Sequence, residues 1–119
     1  MALQDEKKDL GFTIIVHGVS AHGSTPHLGK DAIVAASAIV QAVQTLVSRV
    51  NDPLRPLVVG FEAVKAGHQF NIVCDEVKLD GRLLSYDEEF LFDMVQKLKT
   101  LAQKTAEAFD CSAELVMAE

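Results

Sequence analysis

Cysteine, basic residues and long apolar runs are scarce in this 119-residue chain, and each shortage excludes a class of protein. The two cysteines, Cys74 and Cys111, stand far apart, which excludes a disulfide framework and a thiolate metal site. They fit a reducing compartment, so we expect a cytoplasmic location. The net charge is −6, and the one basic pair, Lys7 and Lys8, is flanked by acidic residues. Phosphate binding needs clustered Lys and Arg, so we expect no nucleic-acid partner.

No uninterrupted apolar run reaches the length of about 18 residues that indicates a membrane span. The N-terminus has no basic start followed by an apolar stretch, so we expect neither a signal peptide nor a membrane partner. No repeat, low-complexity tract or Pro/Ser-rich linker interrupts the chain, and 49% of its residues are hydrophobic. We therefore predict a single domain over residues 11–119, after a disordered or added N-terminal segment at 1–10.

Hydrophobic periodicity predicts alternating strands and helices. The predicted elements, in chain order, are a strand at 12–19, a helix at 31–50, strands at 57–65 and 72–84, a helix from Asp87 (or from Ser85, with Glu88 completing a capping box), and a strand at 112–117. The order β-α-β-β-α-β predicts an α+β, ferredoxin-like fold, with a four-stranded antiparallel sheet and both helices on one face. The other face would be open to solvent, a ligand or another domain.

Two details of this pattern leave alternatives open. The apolar arc of the helix at 31–50 is wider than one sheet face covers, so the helix is either deeply buried or packed on a partner as well. Asp80-Gly81 is typical of a tight hairpin turn, but hydrophobic alternation continues through it, which favours a bulge or bend at Gly81.

Residues 20–27 (Ser-Ala-His-Gly-Ser-Thr-Pro-His) join the first strand to the first helix and carry two imidazoles, which a plain connector does not need. The four histidines, His17, His22, His27 and His68, match no common zinc spacing. Ser20, Ser24 and Thr25 lack the nucleophile elbow that would make a serine-type nucleophile. His22 suits a simpler role as a hydrogen-bond donor to a developing oxyanion, or it bonds a backbone carbonyl in its own loop.

Residues 20–32 (Ser-Ala-His-Gly-Ser-Thr-Pro-His-Leu-Gly-Lys-Asp-Ala) resemble the small-domain signature of the co-catalytic metallopeptidase family, which includes aminoacylases, deacylases, carboxypeptidases and amidohydrolases. Residues 66–73 (Ala-Gly-His-Gln-Phe-Asn-Ile-Val) are similar to its Gly-x-x-x-Asn-Val-Ile-Pro block. The strand at 75–81, leading to Ser-Tyr-Asp at 85–87, resembles a third block. These matches come in the family's order over residues 11–119, and they are specific for its inserted dimerisation (lid) domain rather than for a substrate.

The resemblance implies that this chain is one part of a hydrolase of N-acyl amino acids or small peptides. In the family two divalent metals, usually zinc, are held by a separate catalytic domain, whose ligand motifs this chain lacks. We therefore expect no metal in this chain and no activity from it alone. The implied partners are a second copy, bound through the helix at 31–50 and through a sheet edge, the catalytic domain and the substrate.

The resemblance also assigns residue roles. The histidine matching His22 stabilises the tetrahedral intermediate, often in the partner subunit's active site, and the asparagine matching Asn71 binds substrate. Two positions depart from the family pattern: Cys74 replaces a proline, and Leu84 replaces an arginine. Arg82, two residues earlier and on the same sheet face, either binds a substrate carboxylate in place of that arginine or is a solvated strand residue. The alternative function is a stand-alone ferredoxin-like module that binds a ligand or forms a regulatory dimer.

Overall fold

The computed structural model describes residues 6–67 and 69–118, and the structural statements below concern these residues. Its elements are β1 (Lys8–His17), a short 3-10 turn (Pro26–Leu28), α1 (Ala32–Thr45) with a wider π-type turn after it (Leu46–Val50), β2 (Val58–Ala66), β3 (Glu76–Ser85), α2 (Glu88–Ala108) and β4 (Ser112–Met117). The sheet order is β2-β3-β1-β4, and every neighbouring pair is antiparallel. The predicted ferredoxin-like fold is confirmed.

One hydrophobic core lies between the sheet and the two helices. Alternate residues of the two central strands point into it, and each helix contributes one stripe. The main contributors are Phe12, Ile14 and Val16 of β1, Val77, Leu79 and Leu83 of β3, Ala35, Ala36, Ile39 and Val43 of α1, and Leu91, Met94, Val95 and Leu98 of α2. Both helices therefore pack on the same face of the sheet, as the sequence predicts.

Two predicted strand boundaries are wrong, because pairing partners rather than local pattern set them. β1 begins at Lys8, which pairs with Ser85 of β3, so residues 8–10 belong to the sheet and not to the predicted disordered segment at 1–10. Residues 1–5 of that segment lie outside the described residues. β3 begins at Glu76 rather than at residue 72, since Ile72 pairs with the loop after β1 instead of with a strand.

Helix α1 buries only part of its apolar arc. Asp31 caps its N-terminus, accepting hydrogen bonds from the backbone N–H groups of Ile33 and Val34. Ile33 and Val50 are each 48% exposed, so the deeply buried helix is not what the chain forms. The segment Ala32–Val50 is long and apolar enough to cross a membrane by composition (19 residues, mean hydropathy 1.5), yet its inner face is core.

The strand irregularity lies in β2 and not at Gly81. Phe61 pairs with Gly81 and Ala63 with Asp80, so Glu62 is the additional residue, while β3 runs straight through Gly81. Both the hairpin turn at Asp80-Gly81 and the bulge at Gly81 are therefore wrong. Gly81 serves packing instead: a Cβ there would lie 2.5 Å from Phe12 Cζ and 2.6 Å from the Gly60 carbonyl oxygen.

Replacing Gly81 with alanine is expected to destabilise the domain by about 1–3 kcal/mol, because the methyl group must displace the Phe12 ring or part β2 from β3. The matched control is Gly60→Ala on the neighbouring strand, where a Cβ meets nothing within 4 Å. That control should stay within about 0.5 kcal/mol of the parent. Denaturant unfolding followed by circular dichroism measures both, and equal losses would contradict the packing argument.

The open face of the sheet is a network of charges. Arg82 pairs with Asp9 (2.8 Å) and with Glu62 (3.3 Å), and Asp80 pairs with Lys65 (3.2 Å). The Thr13 hydroxyl donates to Asp80 at 2.7 Å, and this bond, with Lys65, lowers the pKa of the Asp80 carboxyl. The Arg82 pKa is raised, mainly by its hydrogen bond to Asp9. This face is therefore solvated and largely paired within itself.

Candidate functional site

The loop after β1 and the loop before β3 meet at one end of the sheet. His22 and Ile72 form an antiparallel bridge, with Gly23 N–H donating to the Asn71 carbonyl (2.7 Å) and Val73 N–H to the Ala21 carbonyl (2.8 Å). We call residues 20–25 and 69–73 the histidine tip. Because main-chain bonds join its two halves, the tip holds side chains that lie far apart in sequence in one fixed arrangement.

The base of the tip is anchored to regular structure by further main-chain bonds. Val19 and Lys30 exchange hydrogen bonds of 2.9 and 2.8 Å, which closes the first loop. Gly18 N–H donates to the Asp75 carbonyl (2.8 Å), and Ala32 N–H, at the start of α1, donates to the Cys74 carbonyl (3.0 Å). A loop fastened this way to β1, β3 and α1 projects His22 from a rigid support.

Two positions of the tip favour the residues found there, one because of its backbone conformation and the other because it has no space for a side chain. Asn71 has a φ of 67°, in the left-handed region that asparagine tolerates better than most residues with a side chain. At Gly23 a Cβ would lie 2.7 Å from Asn71 Oδ1. Only glycine lets the Asn71 side chain approach so closely, and this approach brings the amide to His22.

The His22 ring is held at both nitrogens. Ser24 Oγ lies 2.7 Å from Nδ1, and the Ser24 backbone N–H donates to the same nitrogen at 3.1 Å. Asn71 Nδ2 lies 3.1 Å from Nε2. The alternative that His22 bonds a backbone carbonyl is not what the described residues form. His22, Ser24 and Asn71 are all exposed, so the ring remains accessible from solvent.

Of the predicted site residues, His22 and Asn71 come together and Arg82 does not join them. Arg82 faces Gly11 and Gly60 in the sheet register, six residues along β3 from Glu76, or about 20 Å from the end of the strand that bears the tip. Its guanidinium is already paired with Asp9 and Glu62. Binding a substrate carboxylate would require those pairs to break.

The other histidines do not complete a site. His27 is exposed on the short turn Pro26–Leu28, and His17 lies 4.0 Å from Glu114 on the open face. His68 lies outside the described residues. Over residues 6–67 and 69–118, no group of three or more His, Cys, Asp or Glu side chains could hold a metal ion. The described part of the chain therefore offers no ligand set that fits the expected metals.

Sequence reasoning missed two features of the tip. Ser24 was considered from the sequence only as a nucleophile, but it contacts the His22 ring. The signal that could have suggested this contact is the His-Gly-Ser order, which places the serine two residues after the histidine. Phe70, directly before Asn71, is 97% exposed. The tip also borders a small hollow of about 120 Å³, lined by Ser20, Gly67, Gln69, Ile72, Val73, Cys74 and Asp75.

Comparison with known proteins identifies the family to which this domain belongs. A family model described as a peptidase dimerisation domain (M20_dimer) matches residues 6–110. The chain belongs to this family. It is 32% identical over 98 residues to an N-acetyldiaminopimelate deacetylase of Lactiplantibacillus plantarum, an alignment covering 82% of this chain and 26% of that enzyme. The dimerisation domain thus spans about a quarter of the relative's length, and the predicted family is confirmed.

Solved structures agree with this dimerisation-domain fold. A putative aminohydrolase from methicillin-resistant Staphylococcus aureus superposes with a TM-score of 0.89 at 29% identity, covering 97% of this chain and 31% of that one. A Bacillus subtilis protein described as a dinuclear metal binding peptidase of the M20 family gives a TM-score of 0.70 at 20% identity, covering 93% of this chain and 25% of that one. The second likeness is at the level of fold alone.

In the dimerisation domain the two ends of the described chain lie side by side, away from the tip. Lys8, at the start of β1, pairs with Ser85, and Ala118 N–H donates to the Gly11 carbonyl at 2.9 Å. The tip follows the other end of β1. At about 3.3 Å per residue, Lys8 lies about 30 Å from His17, at the end of β1 that leads to the tip, and Gly11, beside Ala118, lies about 20 Å from it.

Proposed function

We propose that this chain is the dimerisation and lid domain of a metal-dependent amide hydrolase that acts on N-acyl amino acids or small peptides. Family membership and the similarity to an N-acetyldiaminopimelate deacetylase support the reaction class. Two divalent metals, zinc by the family resemblance, would be held by a catalytic domain outside this chain and would supply an activated water. The chain alone would be inactive, and the whole protein would be cytoplasmic.

His22 is proposed to donate a hydrogen bond from Nε2 to the oxyanion of the tetrahedral intermediate, and Asn71 to bind the substrate beside it. The observation that carries this proposal is the exposed imidazole of His22, held at both nitrogens on a tip that is fastened by main-chain bonds. A donor positioned before the reaction costs no reorganisation when charge develops. The fully exposed Phe70 also suits a tip that enters a cleft of another domain.

The family resemblance favours action of His22 on the partner subunit. The tip lies beyond the His17 end of β1, about 30 Å from Lys8 at the other end of the strand. A tip that projects from one end of the sheet is free to enter a cleft of a second subunit. The catalytic centre would then be complete only in the dimer.

The dimer contact is proposed to involve α1 and the free edge of β2. An apolar groove of about 290 Å³ runs between them, and its lining includes Ile33, Val40 and Val64. Val64 is 62% exposed and Ile33 is 48% exposed, and the groove that they line reaches the core at Val77 and Leu79. β2 is an edge strand, and unpaired strand edges readily pair with another chain. A second copy would cover both the edge and the groove.

Arg82 is proposed to bind the carboxylate of an amino-acid substrate or product, in addition to the substrate contacts of His22 and Asn71. What supports it is its position on the open face, on the same side as Leu84, where the family has its arginine. Against it stand the ion pairs with Asp9 and Glu62. To bind the substrate, the Arg82 guanidinium must leave the Asp9 and Glu62 carboxylates and pair with the substrate carboxylate instead.

Subunit complementation tests the function and the partner-subunit geometry together. A full-length His22→Ala protein is mixed and refolded with a full-length variant whose catalytic-domain metal ligands are replaced. Half of the resulting dimers pair the two, and each of these has one complete centre, so about a quarter of wild-type activity should return. No recovery in verified mixed dimers would contradict action between subunits.

The sequence that flanks this chain in its gene distinguishes the hydrolase proposal from the alternative, a stand-alone binding module. A dimerisation domain of a hydrolase requires the family's metal motifs, His-x-Asp and Glu-Glu, in the flanking polypeptide. Their absence would remove the enzyme proposal and leave the binding module.

A further inference from the structure

We propose that Ser24 is a positioning residue, which holds the His22 ring as the neutral tautomer with its proton on Nε2. The inference concerns the ring itself, and its consequence for turnover rests on the proposed function. Two contacts carry it: Ser24 N–H to Nδ1 at 3.1 Å and Ser24 Oγ to Nδ1 at 2.7 Å. The Asn71 amide lies 3.1 Å from Nε2, and its orientation is assigned from them.

The backbone contact decides the tautomer. A ring nitrogen of neutral imidazole either carries a proton or presents a lone pair. The Ser24 N–H points at Nδ1, and a main-chain donor fixed in a loop cannot turn away. Nδ1 must therefore be the acceptor, which leaves the proton on Nε2. A proton on Nδ1 would instead set two N–H groups against each other.

The orientation of the Asn71 side-chain amide follows from this tautomer. With a proton on Nε2, an amide NH₂ facing it at 3.1 Å would place donor against donor. The terminal amide can be turned by about 180°, which exchanges its nitrogen and oxygen with little change of shape. The Asn71 oxygen then accepts from Nε2–H. In this arrangement each ring nitrogen has a matching partner, and the reactive N–H points to the exposed side of the tip.

The hydroxyl of Ser24 adds a second, removable donor. Its Oγ lies 2.7 Å from Nδ1 and, as a donor, favours the same tautomer as the backbone N–H does. It also restricts rotation of the ring. When an oxyanion forms, it is a stronger acceptor than the neutral Asn71 oxygen, so the N–H can transfer its bond without the ring changing its tautomer.

Nitrogen-15 NMR of the His22 ring in this 119-residue protein tests the inference at about pH 8, where an ordinary imidazole is neutral. The Nε2–H tautomer should dominate. Ser24→Ala removes one neutral hydrogen bond to Nδ1 and should raise the population of the other tautomer, relative to Nε2–H, about fivefold, whereas Ser24→Thr should restore the original ratio. Thr25→Ala is the matched control, since among the described residues the Thr25 hydroxyl bonds the His22 carbonyl (3.4 Å) and not the ring.

The inference is overturned if the Nδ1–H tautomer dominates in the unaltered protein, if Ser24→Ala leaves the ratio as Thr25→Ala does, or if threonine fails to restore it. In the full-length enzyme, Ser24→Ala should lower kcat about fivefold with little change in KM, because the ring loses a hydrogen bond that restricts its rotation, again with rescue by threonine. A changed tautomer ratio with unchanged kcat would leave the tautomer assignment standing and exclude an effect of Ser24 on turnover, whereas the donor role of His22 is tested separately by His22→Ala.

Discussion

The full-length protein carrying His22→Ala should turn over substrate at least about a hundredfold more slowly than the unaltered protein. One positioned donor to an oxyanion is worth about 10²–10³ in kcat. The loss should fall on kcat more than on KM, because the charge that His22 meets appears only as the tetrahedral intermediate forms. Steady-state kinetics on an N-acetyl amino acid measure both constants.

The matched control is His27→Ala, which removes an exposed imidazole five residues later in the same connection. His27 lies on the short turn Pro26–Leu28 and takes no part in the ring contacts of His22. We expect kcat to change no more than about twofold there, as for an ordinary surface substitution. A His22→Ala loss below tenfold, or an equal loss at His27, would exclude the oxyanion role.

Replacing Ile33 with glutamate should dissociate the proposed dimer. Ile33 is half-exposed at the groove between α1 and β2, so the charge is solvated in the monomer but buried without a partner in the dimer. Leaving a charge buried and unpaired costs about 3–5 kcal/mol, which raises the dissociation constant about a hundredfold or more. An acidic residue in the first turn of a helix suits the helix dipole, so the monomer should remain folded.

Sedimentation velocity measures this effect on the domain and on the full-length protein. The control is Phe92→Glu on α2, which adds the same charge to another apolar residue that is 59% exposed. Under the proposed partner-subunit geometry, Ile33→Glu should also lower kcat per subunit when the protein is dilute, and high protein concentration should restore it. Unchanged association by Ile33→Glu would place the dimer contact elsewhere.

The fold was predictable because its information is local. Apolar residues at spacings of three and four gave both helices, and alternation gave the strands, whose order admits the ferredoxin-like sheet that was found. Boundaries were less predictable. The start of β1 at Lys8 depends on Ser85, and the bulge at Glu62 is seen only in the pairing of β2 with β3. Those contacts join residues distant in sequence.

The candidate site was also predictable only in part. The resemblance picked out His22 and Asn71, and the two residues do meet. Arg82 shares a sheet face with Leu84, as period-two geometry requires, but that geometry does not state which partners lie on the neighbouring strands. Asp9 and Glu62, which pair with Arg82, come from β1 and β2. The width of the apolar arc on α1 likewise did not reveal how much of it the sheet would cover.

The sequence by itself determined the order of elements, which follows from local spacing, and the side chains available at the tip. It also determined the family, through the resemblance of three local motifs to those of known proteins. Tertiary structure alone decided what the His22 ring touches. Asn71 lies 49 residues away, and only the main-chain bridge between the two loops brings its amide to Nε2. The separation of the tip from the chain ends was also decided there, because it depends on how β1 pairs with its neighbours in the sheet.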